Sequence, residues 1–112
     1  MTLTQLEAFA LTLAIEGAVA AAAATRLNLS PLKCAVAAVA ASTITHPILW
    51  AIYAEAYGYF AALTTPILEA FVISAETLAY RAIATRRWDE AALLSLLANA
   101  ASWGAGEVIY AL

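Results

Sequence analysis

Long apolar runs with almost no charge limit what this chain can fold into more than any other feature. The stretch from Leu3 to Thr25 contains only two ionisable residues, Glu7 and Glu16. At about 1.5 Å of helix per residue, this stretch is long enough to cross a hydrocarbon core of roughly 30 Å. Hydrophobic residues make up 65% of the 112 residues and charged residues 12%, against roughly 45–50% and about 25% in soluble domains. We therefore predict an all-α integral membrane protein, with a soluble, alanine-rich bundle as the alternative.

Turn and cap signals divide the chain into four apolar segments, which we predict to be transmembrane helices of a single domain over residues 1–112. The segments are Leu3–Thr25, Leu32–Ala54, Thr65–Ala84 and Asp89–Leu112. Ser30 is expected to cap the second helix, with Pro31 at its first position. Asp89 and Glu90 suit the start of the fourth helix, where the helix dipole favours negative charge. Residues 56–64 are predicted to connect the second and third helices.

The placement of the basic residues predicts the orientation of the four segments. All five lie in or beside the first and third connections: Arg26, Lys33, Arg81, Arg86 and Arg87. These two connections share one side of a four-span protein. The termini and the central connection carry Glu7, Glu55 and Glu107 and no Lys or Arg. By the positive-inside rule, we expect a membrane of the bacterial inner-membrane type, with both termini on the non-cytoplasmic side.

The chain also shows an internal repeat. A shift of 60 residues places Glu16 on Glu76, Thr25-Arg26 on Thr85-Arg86, and Ala40-Ala41-Ser42 on Ala100-Ala101-Ser102. We predict two helical hairpins, residues 1–55 and 63–112, that run in the same direction through the membrane. This parallel arrangement is known from some transporters and gives a pseudo-two-fold axis along the membrane normal. The alternative is chance matching among the many alanines.

Glu16 and Glu76 are the strongest candidates for a functional site. Each precedes its own Thr-Arg boundary by ten residues, about 15 Å of helix, which places it near the middle of the membrane. A carboxylate at this depth costs on the order of 2.5–3.5 kcal/mol, so it usually faces protein or water and has a function. If the repeat axis brings the two together, they could share one proton and titrate as a pair. The alternative is a structural hydrogen bond between helices, to Asn99 or Ser42.

Three further polar residues are predicted to line a path to this pair. Glu69 lies on the Glu76 face of the third helix, about 10 Å further outward, although it could instead be solvated at the headgroups. His46 follows Ser42 by four residues and could relay protons or, with the glutamates, bind a divalent metal; a hydrogen bond between helices is the alternative. Asn99 lies on a stripe of small and polar residues, for which helix packing is the leading interpretation. The set resembles no spaced metal motif, so we predict neither a metal site nor a cofactor.

Several other functions are not indicated by the sequence. Cys34 is the single cysteine, so no disulfide framework can form within the chain. There is no basic, aromatic-interleaved patch for nucleic acid, no phosphate-binding loop and no catalytic triad, and we predict no catalytic residues and no enzyme. The length, the four predicted spans and Ala14-Ile15-Glu16-Gly17 are similar to the small multidrug resistance transporters. In that family the remaining helices lack further membrane acids, whereas this chain has Glu69 and Glu76, so we carry no function over.

The sequence therefore predicts a small transporter or channel whose carboxylate pair binds a proton or cation. The expected partners are the lipid bilayer, further copies of the chain (a dimer is favoured), and a small ion or molecule as substrate. The alternative is a non-transporting structural or assembly subunit of a larger membrane complex, and an intramembrane enzyme using His46 is the least supported. An aqueous cavity reaching Glu16 would favour transport, while dry glutamates capped by Ser and Asn would favour the structural subunit.

Overall fold

The computed structural model describes residues 3–112, which form helices joined by short connections and contain no β-strand. Met1 and Thr2, with which the predicted domain and first hairpin begin, lie outside the described range. The four α-helices are α1 (Gln5–Arg26), α2 (Pro31–Phe60), α3 (Thr64–Ile83) and α4 (Trp88–Ala111). A three-residue 3-10 helix, Ala61–Leu63, joins α2 to α3. The all-helical prediction is confirmed, and each predicted helix start lies within two residues of the observed one.

Three continuous helical stretches among the described residues are long and apolar enough to cross a membrane: Gln5–Arg26, Pro31–Ile83 and Trp88–Ala111. The middle stretch has 53 residues and would be about 80 Å long as one straight helix. The longest dimension of the protein is 41 Å, so this stretch folds back on itself. The composition and length of the helices agree with a membrane protein, whereas four separate spans stay a prediction.

The predicted connection over residues 56–64 is wrong in its extent. Helix α2 continues to Phe60, six residues beyond its predicted end, and α3 begins at Thr64. Gly58 is the one weak helix former between Ala54 and Phe60, and a single glycine does not end a helix. The chain reverses at Ala61, where φ is +49° and ψ is −121°. This backbone conformation is unfavourable for a residue with a Cβ atom.

The connection between α1 and α2 uses the caps that its residues predict. Ser30 is the N-cap of α2, and its hydroxyl accepts a hydrogen bond from the Lys33 backbone at 3.2 Å, which confirms the predicted cap. Asn28 has a φ of +56°, a conformation that Asn tolerates better than most residues. The Leu29 N–H donates to the Ala24 carbonyl at 2.9 Å, which closes α1 with a Schellman-type bond. A connection of four residues, 27–30, is therefore sufficient to turn α2 back along α1.

The four helices pack as a ring in which each contacts its two neighbours: α1 lies against α2 and α4, and α3 lies against α2 and α4. The apolar core lies toward the end that carries the α1–α2 and α3–α4 connections. Its fully buried members are mostly small, apart from Tyr80 and Leu94: Ala20, Ala24, Cys34, Ala37, Ala38, Tyr80, Ala91 and Leu94. Alanine lets helices approach closely, and this close packing positions the polar side chains of the next layer.

Candidate functional site

Glu16 of α1 and Glu76 of α3 meet at one hydroxyl group in the middle of the bundle. Each residue is only 1% exposed. The hydroxyl of Ser42, on α2, makes a short hydrogen bond with Glu16 Oε2 and lies 3.2 Å from Glu76 Oε1. Ser42 is itself fully buried. Ser42 therefore bridges two carboxyl groups that are 60 positions apart in the chain.

Glu76 receives further hydrogen bonds from the helices on both sides of α3. Thr45 of α2 donates to Oε1 at 3.3 Å, and the Asn99 amide of α4 donates to Oε2 at 2.6 Å. The same amide group donates to the Ser95 carbonyl at 2.8 Å, which fixes its orientation. Both oxygens of Glu76 thus have good donors, as an ionised carboxylate requires.

Glu16 has far fewer partners. Its Oε2 atom contacts Ser42, whereas its Oε1 atom is buried and has no hydrogen-bond partner among the described residues. The hydroxyl of Tyr80, one turn from Glu76 along α3, is also buried without a partner. Most buried polar atoms in proteins are hydrogen-bonded, so these two atoms are exceptions.

Within residues 3–112, no positively charged side chain forms a salt bridge with either carboxyl group. Arg87 and Asp89 form the single salt bridge found in residues 3–112. No hydrogen bond from Lys, Arg or His to Glu16 or Glu76 is present in the described part of the chain. The electrostatics of the pair are therefore those of two acids held together by hydroxyl and amide donors.

The structure does not bring His46 to the carboxyl pair. Its ring packs beside Phe9 and Trp50, with centroid distances of 6.2 Å and 6.0 Å. Successive helical residues are rotated by about 100°, so Thr45 and His46 point to opposite sides of Ser42: Thr45 toward α3 and His46 toward α1. The four-residue spacing of Ser42 and His46 predicts only an approximate direction, and it does not place the His46 ring at the carboxyl pair. Within the described residues, no group of three or more His, Cys, Asp or Glu side chains is placed to hold a metal ion.

Glu69 and Asn99 line a cavity of about 290 Å³ between α3 and α4. The other lining residues are mainly apolar: Thr65, Pro66, Ile73, Leu96, Ala100 and Trp103. Glu69 is half-buried and makes no hydrogen bond with either member of the pair. Neither Glu16 nor Glu76 lines the cavity, which stops at the Asn99 side chain. This mainly apolar cavity thus reaches the Asn99 side chain, whose amide is one hydrogen bond away from Glu76.

Some members of the site were not predicted as functional from the sequence. The sequence indicates Ser42 only as a structural partner, and neither Tyr80 nor Thr45 is among the predicted site residues. The repeat offered a signal for Ser42, since its counterpart is Ser102, but in the structure the Ser102 hydroxyl donates to the Asn99 carbonyl at 3.2 Å. The bridge between the carboxyl groups is therefore made by Ser42 and not by its counterpart in the repeat.

Searches of protein families, of curated proteins and of solved structures found no match to this chain.

Proposed function

We propose that this chain is a small integral membrane transporter or channel in which Glu16 and Glu76 bind a proton or cation. The observation that carries the proposal is the bridge between two buried carboxyl groups through one hydroxyl. A serine hydroxyl has a single proton to donate, so it can satisfy only one of the two carboxylates. If both were ionised, two negative charges would lie close together in a medium of low dielectric constant without a cation. One bound proton or cation removes this conflict.

The membrane arrangement belongs to the same proposal. We infer four spans, with α2 and α3 as separate transmembrane helices, both termini on the non-cytoplasmic side, and a bacterial inner-membrane type of location. The ring of helices agrees with two parallel hairpins, because α1 and α3 occupy opposite positions in it. Two pairs of residues related by the 60-residue shift are equally buried: Glu16 and Glu76 are both 1% exposed, and Cys34 and Leu94 are both 0% exposed. We propose a homo-oligomer, with a dimer favoured, because four short helices enclose little by themselves.

A non-transporting structural or assembly subunit is the second candidate, and one observation favours it. Both glutamates are buried, Glu16 with Ser42 as its partner and Glu76 with Ser42, Thr45 and Asn99, which is the arrangement expected of helix docking. The unpartnered Oε1 atom of Glu16 instead favours the transport proposal. A buried polar network that only holds helices together is expected to satisfy all its members. We therefore interpret the structure as a closed state, with access through the Glu69–Asn99 cavity on the outer side.

The test is proton flux in liposomes that contain the purified protein and an internal pH-sensitive dye. We expect the unmodified protein to dissipate an imposed proton gradient, alone or with a counter-transported cation. Glu16→Gln and Glu76→Gln should each reduce the rate about tenfold or more, in line with the usual effect of removing a positioned proton-transferring group. The control is Glu107→Gln, which makes the same chemical change at an exposed position near the end of α4.

Two outcomes would contradict the transport proposal. One is no flux from the unmodified protein under gradients of either sign and with several cations. The other is an equal effect of Glu107→Gln and Glu16→Gln. Absent flux together with a loss of stability in Glu16→Gln would be the result expected of a structural subunit.

A further inference from the structure

A second cavity, of about 400 Å³, lies at the end of the bundle where the α1–α2 and α3–α4 connections come together. Its lining combines one side chain from the start of α2 with the last turn of α3 and the chain that follows: Leu29, Lys33, Arg81, Ala82, Ile83, Ala84, Thr85 and Arg86. Three of these residues are basic and none is acidic. This cavity is separate from the Glu16–Glu76 pair and plays no part in the proposed function.

Of the two nearby acidic residues, one is ion-paired outside the cavity and the other is hydrogen-bonded to a residue that lines it. Asp89 pairs with Arg87, with 2.7 Å between the guanidinium and carboxylate atoms. The carboxylate of Glu90 accepts a hydrogen bond from the Thr85 hydroxyl at 2.7 Å. In contrast, Lys33, Arg81 and Arg86 form no salt bridge within the described range. The cavity therefore collects three positive charges that form no salt bridge, and the one Glu90 carboxylate bound to its lining residue Thr85 does not match them in number.

Arg81 is the best-positioned of these cations to bind an anion. Its guanidinium carbon lies 5.2 Å from the centre of the Trp88 ring, within the range of a cation–π interaction. Its Nε atom is buried and has no hydrogen-bond partner in residues 3–112. A guanidinium held on one face by an aromatic ring keeps its N–H groups free in its own plane, and this fork matches two oxygens of a phosphate group.

The location of the cavity indicates what kind of phosphate compound it would bind. Trp88 and the helix ends lie where the apolar helices stop, as expected at the boundary between hydrocarbon and water. Apolar Leu29 and Ile83 line the cavity beside the three cations. Basic pockets between membrane helices at this depth suit the headgroups of anionic lipids. We propose that this cavity binds the phosphate of an anionic phospholipid headgroup, with Arg81 as the central ligand and Lys33 and Arg86 beside it.

The test counts lipid molecules retained by the protein in native mass spectrometry, during titration with phosphatidylglycerol and with phosphatidylcholine of the same chain length. We expect the unmodified protein to retain phosphatidylglycerol in preference to phosphatidylcholine. Arg81→Gln and Lys33→Gln should each weaken this retention, Arg81→Gln by about tenfold, because each basic residue near an anionic headgroup contributes separately. The control is Arg87→Gln, which removes the same charge from the same connection but does not line the cavity. It should change the retention less than about twofold if the bound lipid lies in this cavity.

Three outcomes would overturn the proposal. Equal retention of the two lipids would exclude recognition of an anionic headgroup. Equal losses for Arg81→Gln and Arg87→Gln would indicate diffuse surface attraction instead of a defined site. Displacement of phosphatidylglycerol by millimolar inorganic phosphate would assign the cavity to a free anion. Should Arg81→Gln fail to fold, Lys33→Gln tests the proposal independently, since Lys33 is exposed on α2.

Discussion

The side-chain oxygen of Ser42 joins three of the four helices through two carboxyl groups. It contacts Glu16 of α1 and Glu76 of α3 from its own position on α2. Glu76 keeps the donors Thr45 and Asn99 when this hydroxyl is removed, whereas Glu16 has no other hydrogen bond among the described residues. The two carboxyl groups therefore depend on Ser42 to different degrees.

Ser42→Ala should destabilise the protein in detergent by about 1–3 kcal/mol, the usual effect of leaving a buried polar group without its partner. The measurement is the free energy of unfolding, followed by circular dichroism in mixed micelles. Ser74→Ala is the matched control, because the exposed Ser74 hydroxyl bonds only to the Ala70 carbonyl of its own helix. This control should change stability by less than about 0.5 kcal/mol. Equal effects of the two substitutions would mean that the bridge does not stabilise the fold.

The reversal between α2 and α3 forces an unfavourable backbone conformation on an alanine. Within residues 3–112, the other non-glycine residue with a positive φ is an asparagine, which tolerates it better. Ala61 has a φ of +49°. Helix α2 ends directly before it, and α3 begins three residues after it. Glycine adopts such angles without a steric penalty. The strain is local to one residue because the rest of this segment remains helical.

Ala61→Gly is therefore expected to stabilise the protein by about 1 kcal/mol, because the relief of backbone strain exceeds the added flexibility of the unfolded chain. Ala62→Gly, in the same 3-10 turn but without a positive φ, should be neutral or destabilising by up to about 1 kcal/mol. Thermal unfolding of both variants in one detergent measures the difference. A loss of stability in Ala61→Gly equal to that in Ala62→Gly would contradict the strained turn.

For the protein as a whole, the number of membrane crossings decides which surfaces meet water. The helical stretch over residues 31–83 reverses at Ala61, and this turn meets water only if α2 and α3 each cross the bilayer. Tyr59 is 87% exposed beside that turn, and Arg86 lies in the α3–α4 connection. The proposed four spans place these two residues on opposite sides.

Single cysteines at these two positions test the topology in a background in which Cys34 is replaced by Ala. A maleimide that cannot cross membranes should label Tyr59→Cys in intact cells from the non-cytoplasmic side, and Arg86→Cys only after permeabilisation, because a charged reagent reaches only thiols outside the hydrocarbon. Labelling is read from the mass shift of the purified protein. Absence of labelling at residue 59 before and after permeabilisation would contradict four spans, and reversed labelling would contradict the proposed orientation.

Hydropathy and caps predicted most of the fold, because lipid-spanning segments and helix starts depend on local composition. Ser30, Pro31 and the acids at the start of α4 all act within a turn of helix of their own positions. The end of α2 was mispredicted because Tyr57, Gly58 and Tyr59 suit either a helix or a connection. These residues are exposed, and the helix ends only where the chain reverses at Ala61, a position that no cap residue marks in the sequence.

The sequence by itself determined that Glu16 and Glu76 lie deep in apolar helices, since depth follows from distance along the chain to the charged boundaries. Only the tertiary structure decided that they meet, that Ser42 and not Ser102 lies between them, and that His46 turns toward Phe9. These outcomes depend on the rotation of each helix about its axis, and the packing of small side chains such as Ala20 and Ala38 sets that rotation. A pattern with a period of 3.6 residues identifies a face about 100° wide, which is too wide to choose between neighbouring side chains.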